Sequence, residues 1–348
     1  MTENRDFIRA AYPIFWLVVA VCGYFFVKEL SMMLICLVAA LTLSASLAPL
    51  ARLLEARKIP RAVTVLTVYA LVAALYYIVG VNLAGPIKEQ AGRLFITTRD
   101  SILPFLLERG HEFFPSLFPD AASGNLVTDE LKGKLMGKAG TVAASALKLT
   151  GNILGFLVNI IFVLFLTAYF VIEAKGLTEG LLKWLPPNKR QTVKDLLPGL
   201  ETRLGGYVRG QILVSLAVST IIFCGLALVG IEEALTLGVV SGLLNLVPFV
   251  GSLLTAVFSI LVGFNSGGLT KALLVLGVFV VEQWLESNFI VPHLLGKQVD
   301  LHPLVVLFAV VIGGSLMGLS GALIAVPLAT ALLYLAEELY LKKIQEQN

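Results

Sequence analysis

The sequence predicts an all-α, polytopic integral membrane protein of about eight transmembrane helices, some of them broken or re-entrant in the C-terminal half. Three observations carry this. Of 348 residues, 57% are hydrophobic and only 14% charged, with a mean hydropathy of +0.89, a balance foreign to a soluble globule. The apolar residues fall into blocks of roughly 20, the length that crosses a hydrocarbon core of about 30 Å. Two late blocks, 234–264 and 303–336, are too long for one ordinary crossing and contain Pro and Gly. A barrel would instead alternate over segments of about 10 residues, and no such pattern occurs.

Taken in order, block 12–27 is short and follows Glu3, Arg5, Asp6 and Arg9. A cleaved signal peptide would share that start, with Ser46-Leu47-Ala48 as its cleavage-like tripeptide, but the run of further blocks favours a first crossing. Blocks 31–50 and 63–83 follow, with Arg52, Arg57, Lys58 and Arg61 between them. Positive charge collects on the cytoplasmic side, so this loop and, counting outward, both termini face the cytoplasm. In residues 86–150, Ile87, Ala91, Leu94, Phe95, Ile102, Phe105 and Leu106 recur at helical spacing, which predicts a small amphipathic helical subdomain rather than a linker.

Block 153–172 leads into 173–203, read as a cytoplasmic elbow broken at Pro186-Pro187 and at Pro198. Its Lys183, Lys189, Arg190 and Lys194 suit anchoring near lipid headgroups. Block 208–230 ends at Glu232-Glu233, a connector without Lys or Arg that suits the outer face. The chain thus divides into transmembrane helices one to three (1–85), the subdomain (86–150), the fourth helix with its elbow (151–205) and a C-terminal transmembrane core (206–348).

Within that core, block 272–291 carries Glu282 about ten residues from both Lys271 and Pro292, near the bilayer centre. A charge there costs about 2.5 to 3.5 kcal/mol on insertion scales, so it needs a proton, a partner or a protein interior. Glu286 lies one turn on, on the same face. Two carboxylates so close disfavour double ionisation, which is what a proton-coupled carrier requires. Gln283 and Asn288 add amides nearby. Purely structural bonding between helices is the competing explanation.

In the first long block, Asn245-Leu246-Val247-Pro248-Phe249-Val250-Gly251 predicts an unwound turn at Pro248 and Gly251, with carbonyls freed toward a polar cavity. The second, 303–336, would measure roughly 50 Å as a straight helix, so it must tilt, break or fold back. A re-entrant turn is expected at Gly314, Gly318 and Gly321, with a further break at Pro327; packing of helices through Gly314 and Gly318 is the alternative. Arg209 and Gln211 open block 208–230, where the cation either snorkels to the membrane edge or pairs with Glu286 or Glu201 as a gate. His302 suits the start of the last helix.

Several chemistries fail on spacing. Gly318-Leu319-Ser320-Gly321 resembles the nucleophile motif of rhomboid intramembrane proteases, but His111, His293 and His302 all precede the serine, where that family needs a later histidine. Gly133 to Lys138 is too short for a phosphate loop, and Ala139 replaces its hydroxyl residue. Cys22, Cys36 and Cys224 sit in apolar blocks without disulfide or metal spacing. The net charge of +3 is dispersed, against nucleic-acid binding. No catalytic residue, metal or cofactor is expected, and the expected partners are the bilayer and a small solute or ion, protons or sodium included.

The series Ile59-Pro60-Arg61, Tyr207-Val208-Arg209-Gly210-Gln211, Asn245 to Gly251, Glu286, Val291-Pro292, Gly296, Leu301-His302-Pro303 and Gly318-Leu319-Ser320-Gly321-Ala322 through Pro327 resembles the autoinducer-2 exporter family. Ser252 stands where that family often has a second proline, and His293 where Lys or Arg is common. The resemblance implies a permease of the prokaryotic cytoplasmic membrane, exporting an autoinducer-2-like solute or exchanging sodium for protons, and a homo-oligomer, with pentamers as one form. Two rivals from other classes are a passive channel and a non-transporting scaffold acting through 86–150.

Overall fold

The computed structural model describes residues 33–97, 153–296 and 301–341, so the first block and most of the 86–150 subdomain lie outside the described residues. Every regular element among the described residues is helical. In chain order they are α1 (Met33–Glu55), α2 (Arg61–Thr97), α3 (Ile153–Ile172), α4 (Ala174–Trp184), α5 (Pro187–Val229), α6 (Ala234–Leu244), α7 (Val250–Leu285), α8 (Val291–Leu294) and α9 (Pro303–Ala336). Single π-helical turns follow α7, at Glu286–Ile290, and α9, at Glu337–Leu341.

Five described helices are long and apolar enough to cross a membrane, or six if the bent pair α3 and α4 counts as one. The first of the expected eight lies outside the described residues, so the count of eight is not confirmed; among the described residues α9 bends back on itself and α7 packs back along α6. One expected break is absent: α5 runs through Pro198, and α2 runs on past residue 83 to Thr97. A proline inside a helix removes one backbone bond and costs about 3 kcal/mol, which long helices can absorb. Pro198 is exposed, so the carbonyl it frees can meet water. The elbow's real corner is Leu185-Pro186, with Pro187 as the first residue of α5, a position whose N–H needs no helical partner.

The chain forms two compact units, and α5 begins in one and ends in the other. The first unit holds residues 161–205 and 302–341 with the start of α1. Here α9 folds back. Gly318 takes a φ of 63°, the left-handed conformation glycine tolerates, at the bend between Pro303–Leu316 and Gly318–Tyr340. A Cβ on Gly313 would meet the Gly321 carbonyl oxygen at 2.5 Å and the Ala325 Cβ at 2.9 Å. Residues eight apart in a straight helix lie about 12 Å apart, so the two arms are antiparallel neighbours. Gly314 faces Ala322 loosely, and the helix runs on through Pro327 rather than breaking there. Arg203 ties the start of α5 to the end of this hairpin, through a 3.0 Å ion pair with Glu337 and by stacking over Tyr334, whose hydroxyl donates to the Leu196 carbonyl at 3.2 Å.

The second unit holds residues 49–97, 153–160 and 206–296, with Leu301. Helix α6 ends at Leu244, the chain turns through 245–249, and α7 packs back along α6 as far as Gly267 and Gly268, where the backbone leaves helical angles. Lys271 then donates to the carbonyl of Gly230, at 3.1 Å, just beyond the end of α5. Block 234–264 therefore enters and returns to the level at which it started. The remainder of α7 runs antiparallel to α5: Gly225 lies against Val278 and Gly210 against Leu295.

Candidate functional site

The site is built where α6 stops. Pro248 offers no backbone donor, and Phe249 takes a φ of 65°, a left-handed angle rare for a side-chain-bearing residue. Gly251 restarts the helix against the Leu244 carbonyl, where no Cβ would fit. Leaving the helix costs Asn245 its usual backbone donor. Gln211 of α5 replaces it, donating from Nε2 to the Asn245 carbonyl at 2.7 Å. Asn245 in turn donates from Nδ2 to Oε1 of Glu286 at 3.0 Å. All three residues are buried, so an amide relay connects the break in α6 to a carboxyl on the antiparallel helix.

Glu286 opens the π-helical turn, in which Val291 N–H returns five residues to the Glu286 carbonyl. Pro292 follows at once and could not have continued the ordinary pattern, so the extra residue accommodates it. One turn before, Glu282 is 1% exposed, and its Oε1 has no hydrogen-bond partner among the described residues. Glu286 is close enough to act on it electrostatically. Glu282 also borders an open cavity of about 650 Å³ lined by Ser252, Phe279, Gln283, Trp284 and Asn288.

The residues singled out from sequence thus fall into two sets. Gln211, Asn245 and Glu286 share one buried chain of bonds, and Glu282 adjoins it. Gln283 and Asn288 line the cavity, where they bond locally to the Ser287 hydroxyl and the Trp284 carbonyl. Arg209 is half-buried two residues before Gln211. His302 caps α9, its Nδ1 accepting from Leu304 N–H at 3.3 Å.

Sequence reasoning missed Tyr207 as a site residue, together with Ser215 and Ser241. Their buried hydroxyl oxygens have no partner among the described residues, and neither has Asn245 Oδ1. Thr64 and Ser259 share this property, whereas Thr255, Thr167 and Thr330 return a bond to the carbonyl four residues back on their own helix. The spacing was the available signal. Tyr207, Gln211 and Ser215 recur every four residues on α5, Ser241 and Asn245 along α6 and its C-cap, and Glu282 and Glu286 across the end of α7 into the π-helical turn. These stripes give an apolar bundle a polar interior able to hold a proton and to exchange hydrogen bonds with a polar solute.

Known proteins resemble the chain over nearly its whole length. The AI-2E family transporter signature matches residues 14–340. YueF of Bacillus subtilis (strain 168), provisionally named a transport protein, is 30% identical over 284 residues, spanning 80% of this chain and 76% of the relative. PerM of Escherichia coli (strain K12), provisionally named a permease, is 26% identical over 252 residues, 70% of each chain. A provisionally named transport protein of Thermotoga maritima is 24% identical over 234 residues, 65% of this chain and 72% of the relative. A match of that extent to a multi-pass helical chain places this protein in the AI-2E transporter family of membrane proteins.

Proposed function

We propose that the protein is a secondary transporter of the cytoplasmic membrane, both termini cytoplasmic, that exports a small polar solute or exchanges a cation for protons. Glu282 and Glu286 act as its coupling pair. The observation that carries this reading is the relay from Gln211 through Asn245 to Glu286, which links a titratable group at membrane depth to an interrupted helix. Interrupted helices facing ionisable residues are the usual construction of ion-coupled sites. Glu282 borders the open cavity and exchanges protons with it; Glu286 transmits the change through the Asn245 amide. Glu286 accepts from Asn245 Nδ2, and when it carries a proton it can also donate to the unpartnered Asn245 Oδ1 after the amide turns over.

The same oxygens suit an autoinducer-2-like solute, with which they exchange hydrogen bonds, or a sodium ion, to which they offer lone pairs, and the resemblance to a homo-oligomeric family extends the proposal to a homo-oligomer. The test is a substrate-panel flux assay in proteoliposomes, with and without a proton gradient, comparing the native chain with Glu282→Gln/Glu286→Gln at equal membrane levels. The proposal expects pH-gradient dependence to vanish in the double variant. Unchanged pH-dependent flux would refute the coupling role.

A further inference from the structure

We infer that α4 lies flat in the bilayer interface as a binding surface for anionic phospholipid. The first ground is direction. Helix α4 leaves the apolar helix Val158–Ile172 at 84° with only Glu173 between them, so if α3 crosses the bilayer, α4 runs along its plane. The second is sidedness of the helix itself. Leu177, Leu181 and Trp184, at i, i+4 and i+7, share one face, while Lys175, Glu179 and Lys183 share the opposite one.

No residue of α4 is buried. Leu181 is 52% and Trp184 91% exposed, so the described residues of this chain do not cover the apolar face. Tryptophan at the end of such a face suits the headgroup level, where an apolar ring can keep its N–H wet. The third ground is charge. Residues 173–195 hold Lys175, Lys183, Lys189, Arg190 and Lys194 against Glu173, Glu179 and Asp195, an excess of two cations that fits anionic rather than zwitterionic headgroups.

The corner is also held. Arg190 donates from Nε to the Leu185 carbonyl at 3.0 Å and from Nη2 to the Lys183 carbonyl at 3.3 Å, closing the carbonyl end of α4. The lysines are left to the lipid. A surface helix pinned in this way carries its apolar edge and its cations at fixed depth, which a flexible basic tail would not.

The experiment uses the full chain in nanodiscs of phosphatidylcholine with and without phosphatidylglycerol, carrying Trp16→Phe and Trp284→Phe so that Trp184 is the sole tryptophan. Spin-labelled lipid with a shallow label should quench Trp184 more than lipid labelled deep in the chain. Quenching by aqueous acrylamide, a neutral quencher that the surface charge neither attracts nor repels, should fall at least about twofold as phosphatidylglycerol is added, given an attraction of roughly fivefold per basic residue. Lys183→Gln/Lys189→Gln should raise the phosphatidylglycerol fraction needed for half of that change, whereas Lys271→Gln, far along the chain, should not. Full acrylamide quenching in both lipids would overturn the inference. So would protection that follows protein oligomerisation and ignores the lipid label, which would assign the face to a second copy of the chain. Should the double lysine variant fail to fold, Leu181→Ser provides the same readout through the apolar face.

Discussion

Asn245 uses both ends of its residue: the main-chain carbonyl takes the Gln211 amide and the side chain supplies Glu286. Replacement by Leu keeps the first contact and removes the second, leaving a buried carboxyl without that donor. The expected loss is about 1 to 3 kcal/mol of stability, read as a lower thermal midpoint, with transport reduced further than stability alone explains. Gly251→Ala should be more damaging than Gly314→Ala, because the first drives a methyl into the Leu244 carbonyl and the second meets only ordinary contact with Ala322. Comparing the two thermal midpoints checks that order. At this scale Glu282, Glu286 and Asn245 were legible, since carboxyls and a break-flanking amide are costly at membrane depth and stand out. Tyr207, Ser215 and Ser241 were marked only by their four-residue spacing, because a serine hydroxyl in an apolar helix ordinarily satisfies itself on the carbonyl of the preceding turn, and a tyrosine hydroxyl reaches past its own helix to partners that packing decides.

At the scale of elements, prolines misled where glycines informed. A proline removes one donor wherever it stands but does not by itself end a helix. At half-buried Pro248 the chain also takes a φ of 65° at Phe249 and unwinds, while at exposed Pro198 solvent can take the freed carbonyl and α5 continues. Pro198→Ala should therefore restore a backbone bond without altering the fold, and raise the thermal midpoint while leaving flux unchanged. Glycine is more direct, since a positive φ at Gly318 follows from its lack of a Cβ. The Arg203–Glu337 pair tethers the N-terminal part of α5 to the end of the α9 hairpin. It is partly exposed, so Glu337→Gln should cost no more than about 1 kcal/mol, and less at high salt.

For the whole molecule, the fold-back of 234–264 makes a topological statement that labelling can read. In a chain freed of Cys22, Cys36 and Cys224, single cysteines at Glu232 and Leu269 should both react with an impermeant maleimide from the same side of the membrane. Reaction from opposite sides would mean that the block crosses. Composition made the helical membrane class plain, and periodicity found the blocks. It could not tell a crossing from a hairpin, because both are equally apolar and differ only in contacts between their two arms.

The Lys271 bond to Gly230 bears finally on the parity of the chain. On the proposed orientation, with the loop at 52–61 in the cytoplasm, counting each long block as one traverse would place Lys271 in the cytoplasm and His293 outside. Folding 234–264 back exchanges the two sides for everything from Lys271 to His302. Folding 303–336 back as well restores the side of the C-terminus, so the two hairpins cancel. Charge placement near the termini alone could therefore never have revealed them, and a change that straightened only one would carry the C-terminal tail to the other face of the membrane.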